Sequence, residues 1–233
     1  MKKDVYHRMK YKSIAIDGPS GAGKSTLAKK AAEALGYLYV DTGAIYRTVG
    51  LCALRRGIAP DDHGGVVAML GTFTLDLRHG EDGLQHMYLD GEDVTGEIRR
   101  PEVSMYASAV SALPEVRAFL MDLQRGLAQR QNVIMDGRDI GTVVLPGADI
   151  KIFLTASLED RARRRWQELR ERGMECDYAS VLADMAARDE NDSRRAAAPL
   201  RRAEDALLLD TTGNSLEQSF QLLLQTIKER LDP

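Results

Sequence analysis

The run Gly18-Pro19-Ser20-Gly21-Ala22-Gly23-Lys24-Ser25, continued by Thr26, constrains this chain more than any other feature. It has the spacing G-x-x-x-x-G-K-[ST], and both flanks suit it. The apolar segment Ser13–Asp17 (SIAID) reads as a buried strand, and Lys24–Leu35 reads as a helix stopped by Gly36. Glycines let successive N–H groups curl around phosphate oxygens without Cβ clashes. The helix starting near Lys24 turns its partial positive end toward the same anion. Gly18, Pro19, Ser20, Gly21, Ala22, Gly23, Lys24, Ser25 and Thr26 are therefore the candidate triphosphate-binding residues. Lys24 would neutralise the β- and γ-phosphates, and Ser25 would offer a hydroxyl to Mg²⁺. A chance Gly-rich turn is the competing reading, and the correct flanks argue against it. The motif specifies a nucleoside triphosphate and leaves the receiving group open.

The rest of the chain supplies partners for that first strand. Tyr37–Asp41, Asn132–Asp136, Asp149–Leu154 and Ala206–Asp210 have strand length and apolar character. Thr42–Arg56 (ended by Gly57) and Ser215–Leu231 read as helices between and after them. Alternating strands and helices predict an α/β fold with a parallel sheet covered on both faces. Residues ~60–100 break the rhythm. Thr72–Arg78 and Gln85–Leu89 look like short strands, with turn chemistry at Gly80–Gly83 and Asp90-Gly91, which predicts a small β insertion. With no repeat or linker, residues 13–233 read as one domain, and residues 1–12 as an extension.

A formal net charge of −3 over 233 residues speaks against a general nucleic-acid or membrane-surface binder. Cys52 and Cys176 form no paired or metal-spaced pattern and predict free thiols in a reducing cytoplasm. The charged start MKKDVYHRMKYK is not a secretory signal, and no apolar run approaches the ~20 residues that span a bilayer. His7, His63, His79 and His86 form no ligand cluster.

Three further segments carry chemistry. After the second strand, Asp41-Thr42-Gly43 opens a helix. Thr42 there is either a simple N-cap or a ligand contact, and Arg47 either a solvated charge or a partner for an anion. Asp136-Gly137-Arg138-Asp139 follows the NVIM strand, and ligands of open α/β sheets bind at such carboxyl ends. Asp136 could hold Mg²⁺ through water and Arg138 could fork a phosphate, unless the pair merely ties strand to loop. Arg188-Asp-Glu-Asn-Asp192-Ser-Arg-Arg195 is not a calcium loop, because Arg194 stands where Gly belongs and Leu200 where Glu belongs. It reads either as a solvated helix face or as an arginine clamp on a transferring phosphoryl group. The helix Asp160–Arg172 is a candidate lid, with RNA binding and an ordinary charged surface as its alternatives.

No N-K-x-D guanine motif is present, which weighs against a GTPase. The segments IAIDGPSGAGKST, YVDTGAIYR, LDGEDVTGEIR, MDGRDIGTVVLPGADIKIFLTAS and RDENDSRRAAAPL, with Ser108 and Pro114–Arg117, resemble the bacterial cytidylate kinases, a nucleoside monophosphate kinase family. The resemblance runs from Ser13 to near the C-terminus. It implies a five-stranded parallel P-loop sheet, an acceptor lobe enlarged by the insertion at ~60–100, and a lid at ~158–190. It also implies transfer of the ATP γ-phosphate to CMP or dCMP with Mg²⁺, by a cytoplasmic monomer of pyrimidine nucleotide metabolism. Ser108, Arg117 and Asp139 match residues that read cytosine, and Arg188 and Asp192 match residues that hold the sugar. Arg47, Arg138 and Arg195 match residues around the acceptor phosphate, and Thr42 and Tyr46 match the acceptor pocket. Lys24, Arg138, Arg188 and Arg195 would carry catalysis. A kinase for another small acceptor such as UMP is the alternative.

Overall fold

In the computed structural model the described residues are 11–80, 83–171 and 173–231. Residues 1–10 of the N-terminal extension, positions 81–82 of the Gly80–Gly83 turn, Arg172 and His7 lie outside them. A parallel five-stranded sheet runs in the order β2 (Leu38–Asp41), β6 (Val133–Gly137), β1 (Ser13–Asp17), β7 (Ile150–Thr155), β8 (Leu207–Asp210). The central strand β1 is buried along its whole length, as the unbroken apolar run SIAID requires of a strand covered on both faces. Ile14 and Ile16 face α1 (Lys24–Leu35) and α8 (Leu216–Leu231) in one core, whereas Ala15 joins the core under α2 (Thr42–Arg55) and α5 (Pro114–Ala128). Burying one such isoleucine contributes about 2 kcal/mol.

Helix ends follow local chemistry. Gly23 enters α1 with φ 85° and supplies no side-chain cap, so the first N–H groups of that helix face the glycine loop. Helix α2 is capped by Asp41, whose carboxylate accepts from Ala44 N–H at 2.9 Å. Thr42 is thus the first helical residue and not the cap that its hydroxyl suggested, because the more acidic side chain precedes it. Pro101 and Pro114 each open a helix, α4 (Pro101–Ser111) and α5, and Pro114 forces the break between them. Helices α2 and α4 approach closely at Gly50, where a Cβ would sit 2.9 Å from Ala107 N.

The region that broke the rhythm holds α3 (His63–Met69) and a three-stranded antiparallel sheet, β3 (Leu75–His79), β4 (Gln85–Leu89) and β5 (Glu92–Asp93). Its first strand starts later than Thr72 because Thr72 caps the preceding turn through Met69 O at 2.7 Å. This insertion abuts the outer edge of β2. The Gln85 amide accepts from Asp41 N–H at 2.7 Å and donates to Asp41 O at 3.1 Å, and His79 Nε2 donates to Tyr39 O at 2.9 Å. Edge-strand groups that would face water are thereby paired by side chains.

Helices α6 (Leu158–Glu171) and α7 (Tyr178–Arg194) form a hairpin with a small core of its own around Ala162, Val181 and Met185. Trp166 packs edge-on against Tyr178 and donates its N–H to Cys176 O at 3.0 Å. Among the described residues no helix is long and apolar enough to cross a membrane.

Candidate functional site

Strands β1 and β6 are neighbours in register, Ile16 opposite Asp136 and Asp17 opposite Gly137, so their carboxyl ends deliver two loops to one place. The first is the glycine loop. Gly18 has φ 151° and lies so near β7 that a Cβ would fall 1.9 Å from Leu154 O, which excludes every other residue. Ala22 is fully buried below the loop, and Pro19 O accepts the Lys24 ammonium at 2.7 Å. Burial, then Arg138, hold the Lys24 ammonium well below the ordinary lysine pKa.

The second loop is Asp136–Asp139. Asp136 accepts from Ser25 Oγ and from Tyr39 OH, each at 2.9 Å, and burial followed by the charge of Asp41 raises its pKa. Asp139 begins a single π-turn, Ile140–Val144, whose leading N–H groups are taken by a residue from the other strand. Asp17 accepts from Ile140 N–H and Gly141 N–H, both at 2.7 Å.

Around these loops lies a cleft of about 1130 Å³. Ser20, Gly21, Gly23, Lys24, Ser25 and Thr26 line it from the glycine loop, Thr42, Tyr46 and Arg47 from α2, and Ser108 from α4. Arg117 enters from α5, Asp136, Arg138 and Asp139 from β6 and its loop, and Arg188, Asp192 and Arg195 from the end of α7. A chain of charge joins them. Arg138 Nε donates to Asp192 Oδ2 at 2.8 Å, Asp192 lies 4.0 Å from Arg195, Arg195 lies 3.4 Å from Asp139, and Asp139 pairs with Arg117. The Thr42 hydroxyl donates to Asp136 O at 2.7 Å, which ties α2 to the second loop.

Cations outnumber anions in the cleft. Lys24, Arg47, Arg99, Arg117, Arg138, Arg164, Arg165, Arg188 and Arg195 meet Asp41, Asp136, Asp139, Glu168, Asp184 and Asp192. The chain as a whole carries the opposite sign. Burial and the neighbouring Arg138 bring Arg188 down to about 10, and its buried Nε has no hydrogen-bond partner among the described residues. Such a surplus of partly desolvated guanidinium suits the cleft to a polyanion. Among the described residues no cluster of three or more His, Cys, Asp or Glu is placed to hold a metal ion.

Several residues near or lining the cleft were given no site role from the sequence. Arg99 reaches Asp41 at 3.0 Å from the one-turn helix Glu97–Arg99, and only the folding of the insertion brings it there. Arg164 reaches the cleft from the helix read in sequence as a candidate lid, and Asn214, Leu216 and Ser219 flank it beyond the glycine loop, away from the motifs. Asp17 was hidden inside a strand, although a carboxylate next to Gly18 at a strand end is a detectable oddity.

A glycine loop between a buried parallel strand and an uncapped helix, facing a cationic cleft at the carboxyl edge of the sheet, defines a P-loop enzyme that handles nucleotide phosphates. The family model described as Cytidylate kinase matches residues 14–229. The chain belongs to the cytidylate kinase family. A cytidylate kinase of Caldicellulosiruptor bescii is 52% identical over 217 residues, covering 93% of this chain and 96% of that protein. A cytidylate kinase of Streptococcus suis is 48% identical over 224 residues, covering 96% and 100%. A solved structure of an uncharacterized protein from Eubacterium ventriosum shares the fold, with TM-score 0.51 and 12% identity over 94% of this chain and 99% of that one.

Proposed function

We propose that this chain transfers the γ-phosphate of ATP directly to CMP or dCMP, giving ADP and the diphosphate. The reading rests on one observation above all: half-buried arginines from the loop after β6 and the end of α7 gather over the same cleft as the glycine loop. Two polyanions repel each other, and catalysis of in-line transfer is mostly positioning plus cancellation of that repulsion. Lys24, Arg138, Arg188 and Arg195 supply the positive charge. No general base is needed, because the second ionisation of a phosphate monoester lies near pH 6 and the attacking oxygen is already charged.

Acceptor selection falls to the other end of the cleft. Asp139 and the Ser108 hydroxyl suit the N4 amino donor of cytosine, and Arg117 suits its N3 and O2 acceptors. Uracil would turn a carbonyl toward Asp139 and set acceptor against acceptor in a buried site. Arg188 and Asp192 would hold the sugar, Arg47, Arg138 and Arg195 the acceptor phosphate, and Thr42 and Tyr46 the pocket wall. The insertion at ~60–100 would act as an acceptor lobe and the hairpin within ~158–190 as a lid that excludes water.

Mg²⁺ fits the donor set. Ser25 Oγ and Asp136 are hard oxygen donors 2.9 Å apart, and burial followed by the charge of Asp41 raises the pKa of a carboxylate that a cation would favour in its charged form. The ion would draw its remaining ligands from ATP and water and would spread the developing charge. We assign the reaction to pyrimidine nucleotide metabolism in the cytoplasm, in keeping with free Cys52 and Cys176, and to a monomer.

ADP release from ATP with CMP, dCMP, UMP and AMP side by side tests the reading. Fast release with CMP and dCMP alone is expected; equal rates with UMP would overturn the acceptor assignment.

A further inference from the structure

Arg161 and Asp189 lie in the hairpin proposed as a lid and carry no role of their own in the function proposed above. We infer that they are a positioning pair which sets the register of the arginine-bearing helix α7 on the phosphate loop. The inference rests on that function, because it concerns where Arg188, Asp192 and Arg195 stand relative to the bound triphosphate.

The pair grips one residue of the loop from both sides. Asp189 Oδ1 accepts from Ser20 N–H at 3.3 Å, and Arg161 Nη1 donates to Ser20 O at 2.9 Å. The two side chains meet at 2.6 Å, and Arg161 Nε donates to Ala156 O at 2.9 Å. Arg161 is 5% exposed, so each of its donors needs a protein partner. One turn before Asp189, Met185 packs onto the next loop residue. A Cβ at Gly21, whose φ is 70°, would meet Met185 Cε at 2.5 Å. Two consecutive loop residues are thus keyed to two consecutive turns of α7.

Register matters because of what lies beside the key. Arg188 precedes Asp189, and Asp192 follows one turn later. A slip by one residue would shift α7 by about 1.5 Å and swing each guanidinium by about 100°. An ordinary stabilising ion pair would not need the Ser20 main chain; this one uses it for both partners.

The test compares the full chain with Asp189→Ala, Asp189→Asn and Arg161→Lys, following kcat, the KM of CMP and of ATP, and Tm. Lysine keeps the charge and loses the fork that reaches Ser20, Asp189 and Ala156 together. In Asp189→Ala and Arg161→Lys, kcat should fall on the order of tenfold or more with Tm still well above the assay temperature. The KM of CMP should rise as well, because the residues assigned to its sugar and phosphate stand on or beside the same helix, but the loss in kcat persists at saturating CMP. A kcat within about twofold of wild type in both would overturn the inference, as would a loss carried wholly by the CMP KM or by the folded fraction. If Asp189→Ala does not fold, Asp189→Asn decides by the same kcat criterion, since it can still accept from Ser20 but cannot pair with Arg161. Absence of CMP-dependent ADP release in the wild type would instead sink the proposed function. ATP binding by calorimetry would then judge the pair: weakened binding supports it and unchanged binding overturns it.

Discussion

Arg117 and Asp139 form an ion pair almost sealed from water, with the Tyr46 ring 5.5 Å from the Arg117 guanidinium and Arg195 as second cation on the carboxylate. A base with a donor edge beside an acceptor edge can take the place of each partner for the other. Arg117→Ala should therefore raise the KM of CMP by about 100-fold, the loss of a charge-assisted hydrogen bond in a buried site, and leave the KM of ATP nearly unchanged. Steady-state kinetics with each substrate varied in turn checks this. An unaltered CMP KM would remove Arg117 from the acceptor site.

Lys24 is the buried cation of the glycine loop, and its ammonium donates to Pro19 O at 2.7 Å. Lys24→Ala should lower kcat by about 1000-fold or more, in the range of removing one preorganised charge from a transferring group. Turnover within tenfold of wild type would exclude Lys24 from the transfer step.

Asp192 neutralises Arg138 at 2.8 Å and approaches Arg195 at 4.0 Å. Asp192→Ala should change the ratio of kcat/KM for CMP to that for dCMP, because the lost carboxylate is assigned to the sugar hydroxyls. Equal proportional losses for both acceptors would count against that assignment and leave Asp192 as a partner for the arginines alone.

The segments that were legible in sequence are those whose pattern is local. SIAID, the glycine loop and Lys24–Leu35 appear in the structure at the residues expected, since burial on both faces and Gly36 leave one solution. The antiparallel insertion was legible from its turns, whereas α3 was not, because His63–Met69 contains two glycines and too few turns to show a period. In the cleft, the motif residues of α2, β6 and α7 could be named, but not the way they neutralise one another. That Arg138 meets Asp192 and Arg195 meets Asp139 depends on the crossing of α7 over the β6 loop. The partners of Arg99 and Asp17 were out of reach for the same reason: each works on a group far away along the chain.

Asp17 also gives a pH dependence with a definite sign. Burial pushes its carboxyl up to about 6 from the ordinary 3.8, and the N–H groups of Gly141 and Ile140 oppose that rise. Between those values the folded chain holds a proton that the unfolded chain has lost, so this residue's contribution to stability falls as pH rises from about 4 to 6 and stays low above. Asp17→Asn removes the titration. Denaturant unfolding of the two proteins should show the variant gaining on wild type by up to about 3 kcal/mol across that window, on top of a constant offset for altered hydrogen bonds. A difference that does not move with pH would mean that Asp17 titrates normally.

The Gln85 amide occupies the open flank of β2 as a peptide group of a further strand would. During synthesis that flank stays bare until the ribosome has delivered residue 85, and the inner neighbour β6 arrives later still. A chain cut short before the hairpin would thus carry an unpaired ribbon free to zip onto another copy, and fragments of this protein should be harder to keep in solution than the whole.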